Sequence, residues 1–183
     1  HFRFEAAAAG GIPLIAPLGK IRQLNAISYL GGIINSSTNY ILSELSLGKS
    51  QEEVFAEALT LGVLEEDPTN DVEGYDARRK IAILASMILA QEIQERDIPT
   101  SGISELSEED FAWAGSERRR LKLIAALKQD DCSYSLSVLP TALAETNPLA
   151  AVGGIMNQVP LEGDTIGSLV FSGTGGGMLS TAH

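Results

Sequence analysis

The sequence predicts an α+β fold, a sheet with helices packed on one face, and three observations lead there. The first half carries helix signals, with capping residues ahead of apolar runs of 3.6-residue period. The second half changes to short β-prone segments separated by turn residues. The 183 residues, 44% hydrophobic and 20% charged, suffice for one domain with a real core.

The elements follow in order. "FRFEAAAAGGIPLIAPL" is apolar and small-residue, strand-like at its start, and broken at Gly10, Gly11 and Pro13. "QLNAISYLGGII" has the β-branched and aromatic content of a strand. "SSTNYILSELSLG" reads as a helix that Gly48 ends, and Ser50 with Glu53 forms a capping box for the next, running towards Thr60 and ending near Gly62. "YDARRKIAILASMILAQEI" is the strongest helix. Ala77, Ile81, Leu84 and Ile88 keep the period, and its second half is apolar nearly all round, so it is expected to be largely buried. Ser107 and Asp110 open another helix through Trp113. "RLKLIAALK", "SYSLSVLP", "GGIMNQVPL" and "GSLVFSG" are strand candidates, with "NPLAAV" a short helix between two of them. No internal repeat or linker divides the chain.

Charge narrows the function classes. The net charge is −11, and nine of the 24 acids lie between Glu52 and Asp76, a span with no Lys or Arg. A field of that sign repels phosphate backbones, so no nucleic-acid partner is expected, and it attracts a small cationic group. Cys132 is the only cysteine, which removes disulfide frameworks and Cys-based metal sites. The two histidines are terminal. No apolar run reaches transmembrane length, so no membrane partner is expected and a cytoplasmic location is the default. A start without Met and a stop in a Gly-rich loop read as a piece of a longer chain.

The chemistry concentrates in "EEDPTNDVEGYDARRK", Glu65 to Lys80. Asp76 and Lys80 stand four apart on one helix face, which fits a solvated ion pair of a few tenths of a kcal/mol. It also fits a functional lysine. Lys80 enters the most apolar helix, where a charge is costly unless matched, and a Lys between carboxylates is a candidate proton donor. The Asp67-Pro68 turn is expected to fold Glu65 back over the helix start, so that Glu65, Asp76 and Lys80 share a cleft. Asp71 fits a helix-entrance acid and a member of the site equally. Glu66 and Glu73 read as solvated. Extra carboxylates suit a ligand bearing an ammonium, such as an amino acid.

"LGVLEEDPTNDVEGYDARRKIAILA" closely resembles the signature of the homoserine dehydrogenase family: Gly, Glu, Asp-Pro, Asp, Gly, Asp and Lys at these spacings. "FEAAAAGGIPLI", "GGIINSSTNYIL", "NPLAAVGGIMNQV" and "GDTIGSLVFSGTGGGMLSTA" resemble further family segments in the same order. The resemblance implies interconversion of L-aspartate 4-semialdehyde and L-homoserine with NAD(P)(H), on the way to threonine, methionine and isoleucine. It implies Lys80 as proton donor, Glu65 and Asp76 as substrate carboxylates, Asp71 in support, and Gly62 beside the nicotinamide. The loop at Gly173, Gly175 and Gly177 is expected to approach the cofactor from the substrate side. A monovalent cation, usually sodium in this family, would be held by backbone oxygens of Glu5, Ala8, Gly10 and Ile12; a tight glycine turn accounts for the same residues. The resemblance also implies a homodimer through an extended sheet.

Two departures stand out. Asn35-Ser36-Ser37 replaces the family's Asn-Gly-Thr, and Ser does not readily take a glycine conformation. The Rossmann domain, its Gly-rich fingerprint and a second active-site lysine are missing, and Met178 stands where the third Gly of such a fingerprint would fall. The whole of 1–183 is therefore expected to be a substrate-binding and dimerisation domain without its nucleotide-binding partner. Alone, it is expected to show no turnover and no tight NAD(P)H binding. Two rival readings are a dimerisation module without chemistry, and an oxidoreductase acting on another semialdehyde or a sugar acid.

Overall fold

A computed structural model describes residues 5–8 and 10–175. Five antiparallel strands form one sheet: β1 (Ile27–Gly32), β2 (Arg119–Gln129), β3 (Tyr134–Ala144), β4 (Met156–Gly163) and β5 (Gly167–Thr174), in the order β3-β2-β1-β4-β5. The helices are α1 (Ile15–Ile21), α2 (Ser36–Leu45), α3 (Gln51–Thr60), α4 (Thr69–Val72), α5 (Tyr75–Leu89) and α6 (Glu108–Ser116). The main core lies between helices and sheet, where Leu30, Leu127, Val138, Val159 and Leu161 of the strands meet Ile41, Val54, Ile81 and Leu84 of the helices. The other face carries only a small cluster, Ile33, Ile124, Ala126, Leu149 and Val152, under the 3-10 turn Pro148–Ala151. The expected α+β architecture with one helix-covered face is what the chain adopts.

Three local differences from the sequence reading have physical reasons. β3 continues through Pro140 to Ala144 because it is an edge strand, where a missing backbone donor is tolerated. Pro160, read as part of a strand, does lie in the interior strand β4. The β1–β4 ladder is interrupted beside it, between the pairs Leu30–Leu161 and Ile33–Gln158, so its lack of an N–H is accommodated. Helix α5 stops at Leu89 rather than Ile93, since Ala90 turns left-handed (φ 53°) and the Ser86 hydroxyl takes over the amide of Ile93. Its apolar second half is less covered than expected. Met87, Ile88 and Leu89 are only half-buried, because the helix forms an outer layer with sheet on one side alone.

Two glycines shape the approach to the acidic stretch. Gly32 has φ +146°, and a Cβ there would sit 2.2 Å from the Gln158 carbonyl, so only Gly lets β1 run close against β4 and out towards α2. Gly74 (φ +76°) is the joint between α4 and α5, packed on Thr100 and Val138. That joint brings Asp71, in α4, next to Asp76, in the first turn of α5.

Candidate active site

The strand β1 ends, crosses Ile33 and Ile34, and reaches Asn35, which begins α2. Asn35 is extended (φ −126°, ψ 118°) and its side-chain oxygen accepts from the Thr38 amide at 2.8 Å, a helix N-cap. Ser36 and Ser37 are the first helical residues, so this position does not need the freedom of Gly. The Ser37 hydroxyl donates to the Val63 carbonyl at 2.7 Å, tying the segment after α3 to the start of α2.

Around Asn35 the carboxylates gather. Its amide nitrogen donates to Asp71 Oδ1 at 2.7 Å and to Asp76 Oδ2 at 2.8 Å. The Lys80 ammonium donates to the same Asp76 Oδ2 at 2.6 Å and to the Ile34 carbonyl at 3.2 Å. Asp71, Asp76 and Lys80 therefore meet in one cluster, with side chains of Asp76 and Lys80 still 30% and 19% exposed. Two of the three ammonium donors of Lys80 are engaged, and the third has no partner among the described residues. Each Asp likewise has one oxygen tied and one unbonded. Such a group can donate a proton or hydrogen bond to an oxygen and accept one from an ammonium.

Glu65 is not brought into that cluster. It is exposed and makes no hydrogen bond or ion pair with Lys80. The Asp67 carboxylate folds onto the Thr69 amide at 3.1 Å, which opens α4 without turning Glu65 inward. The expected convergence is thus present for Asp76 and Lys80 and not for Glu65. Of the two neighbours read as solvated, Glu66 is exposed and Glu73 half-buried.

A nicotinamide dinucleotide finds only part of a seat. Gly62 lies exposed in a left-handed turn after α3, with open space around it. A side chain on Gly175 would run into the amide of Asn157, and one on Gly173 would press on Ile12. Asn157 is fully buried, and neither of its side-chain polar atoms is bonded among the described residues. Among the described residues a pyrophosphate has no comparable place. The turn at Gly10–Gly11 leads into α1, but the first two amides of α1 already donate to the Glu5 carboxylate at 2.8 and 2.9 Å. Gly177 lies outside the described residues.

For a cation, that capping role leaves the Glu5 carboxylate engaged, so a monovalent ion at Glu5, Ala8, Gly10 and Ile12 would rest on carbonyl oxygens. No group of three or more His, Cys, Asp or Glu suited to a metal occurs among the described residues.

A family model for homoserine dehydrogenase matches residues 13–183. The chain belongs to the homoserine dehydrogenase family. The homoserine dehydrogenase of Pseudomonas aeruginosa is 41% identical over 180 residues, covering 98% of this chain, and that of Bacillus subtilis is 39% identical over the same length. Among solved structures, a homoserine dehydrogenase from Thiobacillus denitrificans superposes with TM-score 0.92 at 40% identity, over 98% of this chain and 42% of its own. A hyperthermophilic archaeal homoserine dehydrogenase mutant in complex with NADPH gives 0.80 at 30% identity, over 98% of this chain and 51% of its own. The chain spans 42% of the length of the two curated relatives.

Sequence reasoning passed over three polar residues that the homoserine dehydrogenase domain buries. Asn35 entered only as part of a doubtful loop, although Asn just ahead of a helical run is a common N-cap. Lys122 stands in the apolar strand β2, 4% exposed, and donates to Val152 O at 2.6 Å, Asn39 Oδ1 at 2.9 Å and Ser43 Oγ at 3.2 Å. Burial, and secondarily the charge of Arg120, pushes its ammonium down to about 8. A lysine amid apolar strand residues was the available signal. Asn157 carried none.

Proposed function

We propose that this chain is the substrate-binding part of an NAD(P)-dependent homoserine dehydrogenase that interconverts L-aspartate 4-semialdehyde and L-homoserine in the cytoplasm, on the route to threonine, methionine and isoleucine. The observation that carries the reading is the Lys80 ammonium with one donor left over, beside two carboxylates that each keep an oxygen unbonded. The unbonded oxygens of Asp71 and Asp76 receive the substrate ammonium, without Glu65, which lies outside their cluster. Charge-assisted hydrogen bonds of this kind are strong and directional. The remaining Lys80 donor points the aldehyde oxygen and stabilises negative charge as it develops there. In reduction Lys80 gives its proton to the new alkoxide; in oxidation neutral Lys80 takes the proton of the hydroxyl. Asp76 keeps the amine aimed in both states. The nicotinamide, when bound, supplies or accepts the hydride.

Gly62 and the glycines at 173, 175 and 177 flank the cofactor, and the pyrophosphate is gripped outside residues 5–175. A sodium ion at the Gly10 turn would rigidify the entry to α1. A homodimer forms through the sheet. The outer edge of β3 is already paired with residues 99–101, whereas β5 shows none of its outer edge paired among the described residues, and Val170 beside it is 49% exposed.

Steady-state oxidation by the full-length enzyme tests the reading. L-homoserine should exceed 4-hydroxybutyrate, its analogue without the ammonium, by roughly 10²-fold or more in kcat/KM, since a site built to bond a polar group rejects the analogue lacking it. Equal rates, or a sugar acid outcompeting L-homoserine, would overturn it.

A further inference from the structure

Asn35 touches neither of the groups that the proposed reaction transforms, yet every hydrogen-bonding position of its side chain is occupied. The oxygen accepts from the Thr38 amide at 2.8 Å and the Thr38 hydroxyl at 2.9 Å. The nitrogen gives one hydrogen to Asp71 at 2.7 Å and the other to Asp76 at 2.8 Å. The residue is 5% exposed. A side-chain amide has two donors and a two-lone-pair acceptor, and all are used here. The Thr38 amide on one side fixes which end is oxygen, so the end facing the carboxylates must be nitrogen.

We infer that Asn35 is a positioning residue that clamps Asp71 and Asp76 together without neutralising them, and thereby creates the ammonium-selective end of the site. The inference rests on the function proposed above. Two carboxylates side by side repel each other, and something must hold them. A cation in that place would do so but would cancel the charge that draws the ligand. A neutral double donor holds both and leaves Asp71, Asp76 and Lys80 with a net charge of −1 for an incoming ammonium. The same bond steadies Asp76 Oδ2, the atom to which Lys80 is bound at 2.6 Å, so the clamp also aims the proton donor. Serine can cap a helix but cannot reach two carboxylates. Aspartate has the shape and the acceptor but, ionised, no donor. No other side chain combines this reach with a donor pair and an acceptor at one helix start.

These differences make the clamp separable from the cap. In the full-length enzyme, Asn35→Ser retains a helix cap and should melt within about 2 °C of wild type, because Ser and Asn are comparable caps. Its kcat for L-homoserine should nevertheless fall about ten- to a hundredfold and its KM rise several-fold, as expected when both ligand and acid lose their orientation. Asn35→Asp should be more severely impaired at neutral pH, and its activity relative to wild type should climb as the pH is lowered, because a protonated Asp regains a donor. Asn35→Ser with unchanged kcat and KM would overturn the clamp. So would losses in Asn35→Ser and Asn35→Ala that track their melting temperatures, or an Asn35→Asp to wild-type ratio flat with pH. A wild-type enzyme that does not turn over L-homoserine would instead overturn the proposed function, so the two failures are distinct.

Discussion

Lys80 and Lys122 are the two least exposed lysines of this fold, and they are treated in opposite ways. Lys80 sits at the site beside a carboxylate 2.6 Å away, keeps 19% of its side chain exposed, and has a donor to spare. Lys122 is bonded to three neutral acceptors from α2, its hydroxyl neighbour and the loop before β4, with nothing left over. Its charge has no carboxylate bonded to it among the described residues. The contrast teaches what makes a buried lysine chemical rather than architectural: an unfilled donor facing accessible space, and a carboxylate bonded beside it. Lys122 instead ties α2 to the 152–156 segment, which Asn39 holds from the same helix through the carbonyls of Gly154 and Met156, both at 3.0 Å.

The comparison can be broken from the Lys122 side. Lys122→Met keeps the length and leaves three buried acceptors without their donor. At about 1–3 kcal/mol for an unsatisfied buried group, offset by the relief of a buried charge, the net loss should be about 2–4 kcal/mol. Thermal unfolding should show a fall in melting temperature on the order of 5–15 °C. Turnover per folded molecule at 25 °C should stay within about threefold of wild type. A collapse of kcat at unchanged melting temperature would make Lys122 part of the chemistry.

A smaller effect sharpens the same contrast. Lys122 ionises at about 8 in the fold, below its ordinary 10.5. Between those values the unfolded chain binds a proton that the folded chain does not, so stability from this group rises with pH over that window. The melting-temperature advantage of wild type over Lys122→Met should therefore grow between about pH 8 and 10.5. A constant difference would mean that the three acceptors outweigh burial and hold the ammonium.

Much of this contrast is legible in the sequence, but only where it is local. Asp76 and Lys80 share a helix face by spacing alone, and the Ser50–Glu53 and Ser107–Asp110 capping boxes form as written. The strands were found from composition, Pro160 included, with β3 read as ending at Pro140 because a proline's tolerance depends on its place in the sheet, which no short window contains. Asn35 meets Asp71 across 36 positions and Lys122 meets Asn39 across 83. Such pairings are decided by the sheet order and by the glycine exits at Gly32 and Gly74, not by propensity. Glu65 shows the opposite error. A turn with the right residues formed, yet its Asp67 bond serves α4 and leaves the glutamate outside.

The central claim is that Lys80 is the proton donor and Lys122 is not, and one paired measurement addresses it: single-turnover reduction of L-aspartate 4-semialdehyde by full-length Lys80→Met and Lys122→Met, with melting temperatures alongside. Loss of a general acid in its preorganised site typically costs 10²–10⁴-fold, so Lys80→Met should slow the chemical step by about 10³-fold, with a melting temperature within a few degrees of wild type. Lys122→Met should show the reverse, near-normal chemistry in a destabilised protein. Normal chemistry in a folded Lys80→Met enzyme would contradict the account and leave this domain as an assembly module whose charged stretch only caps a helix.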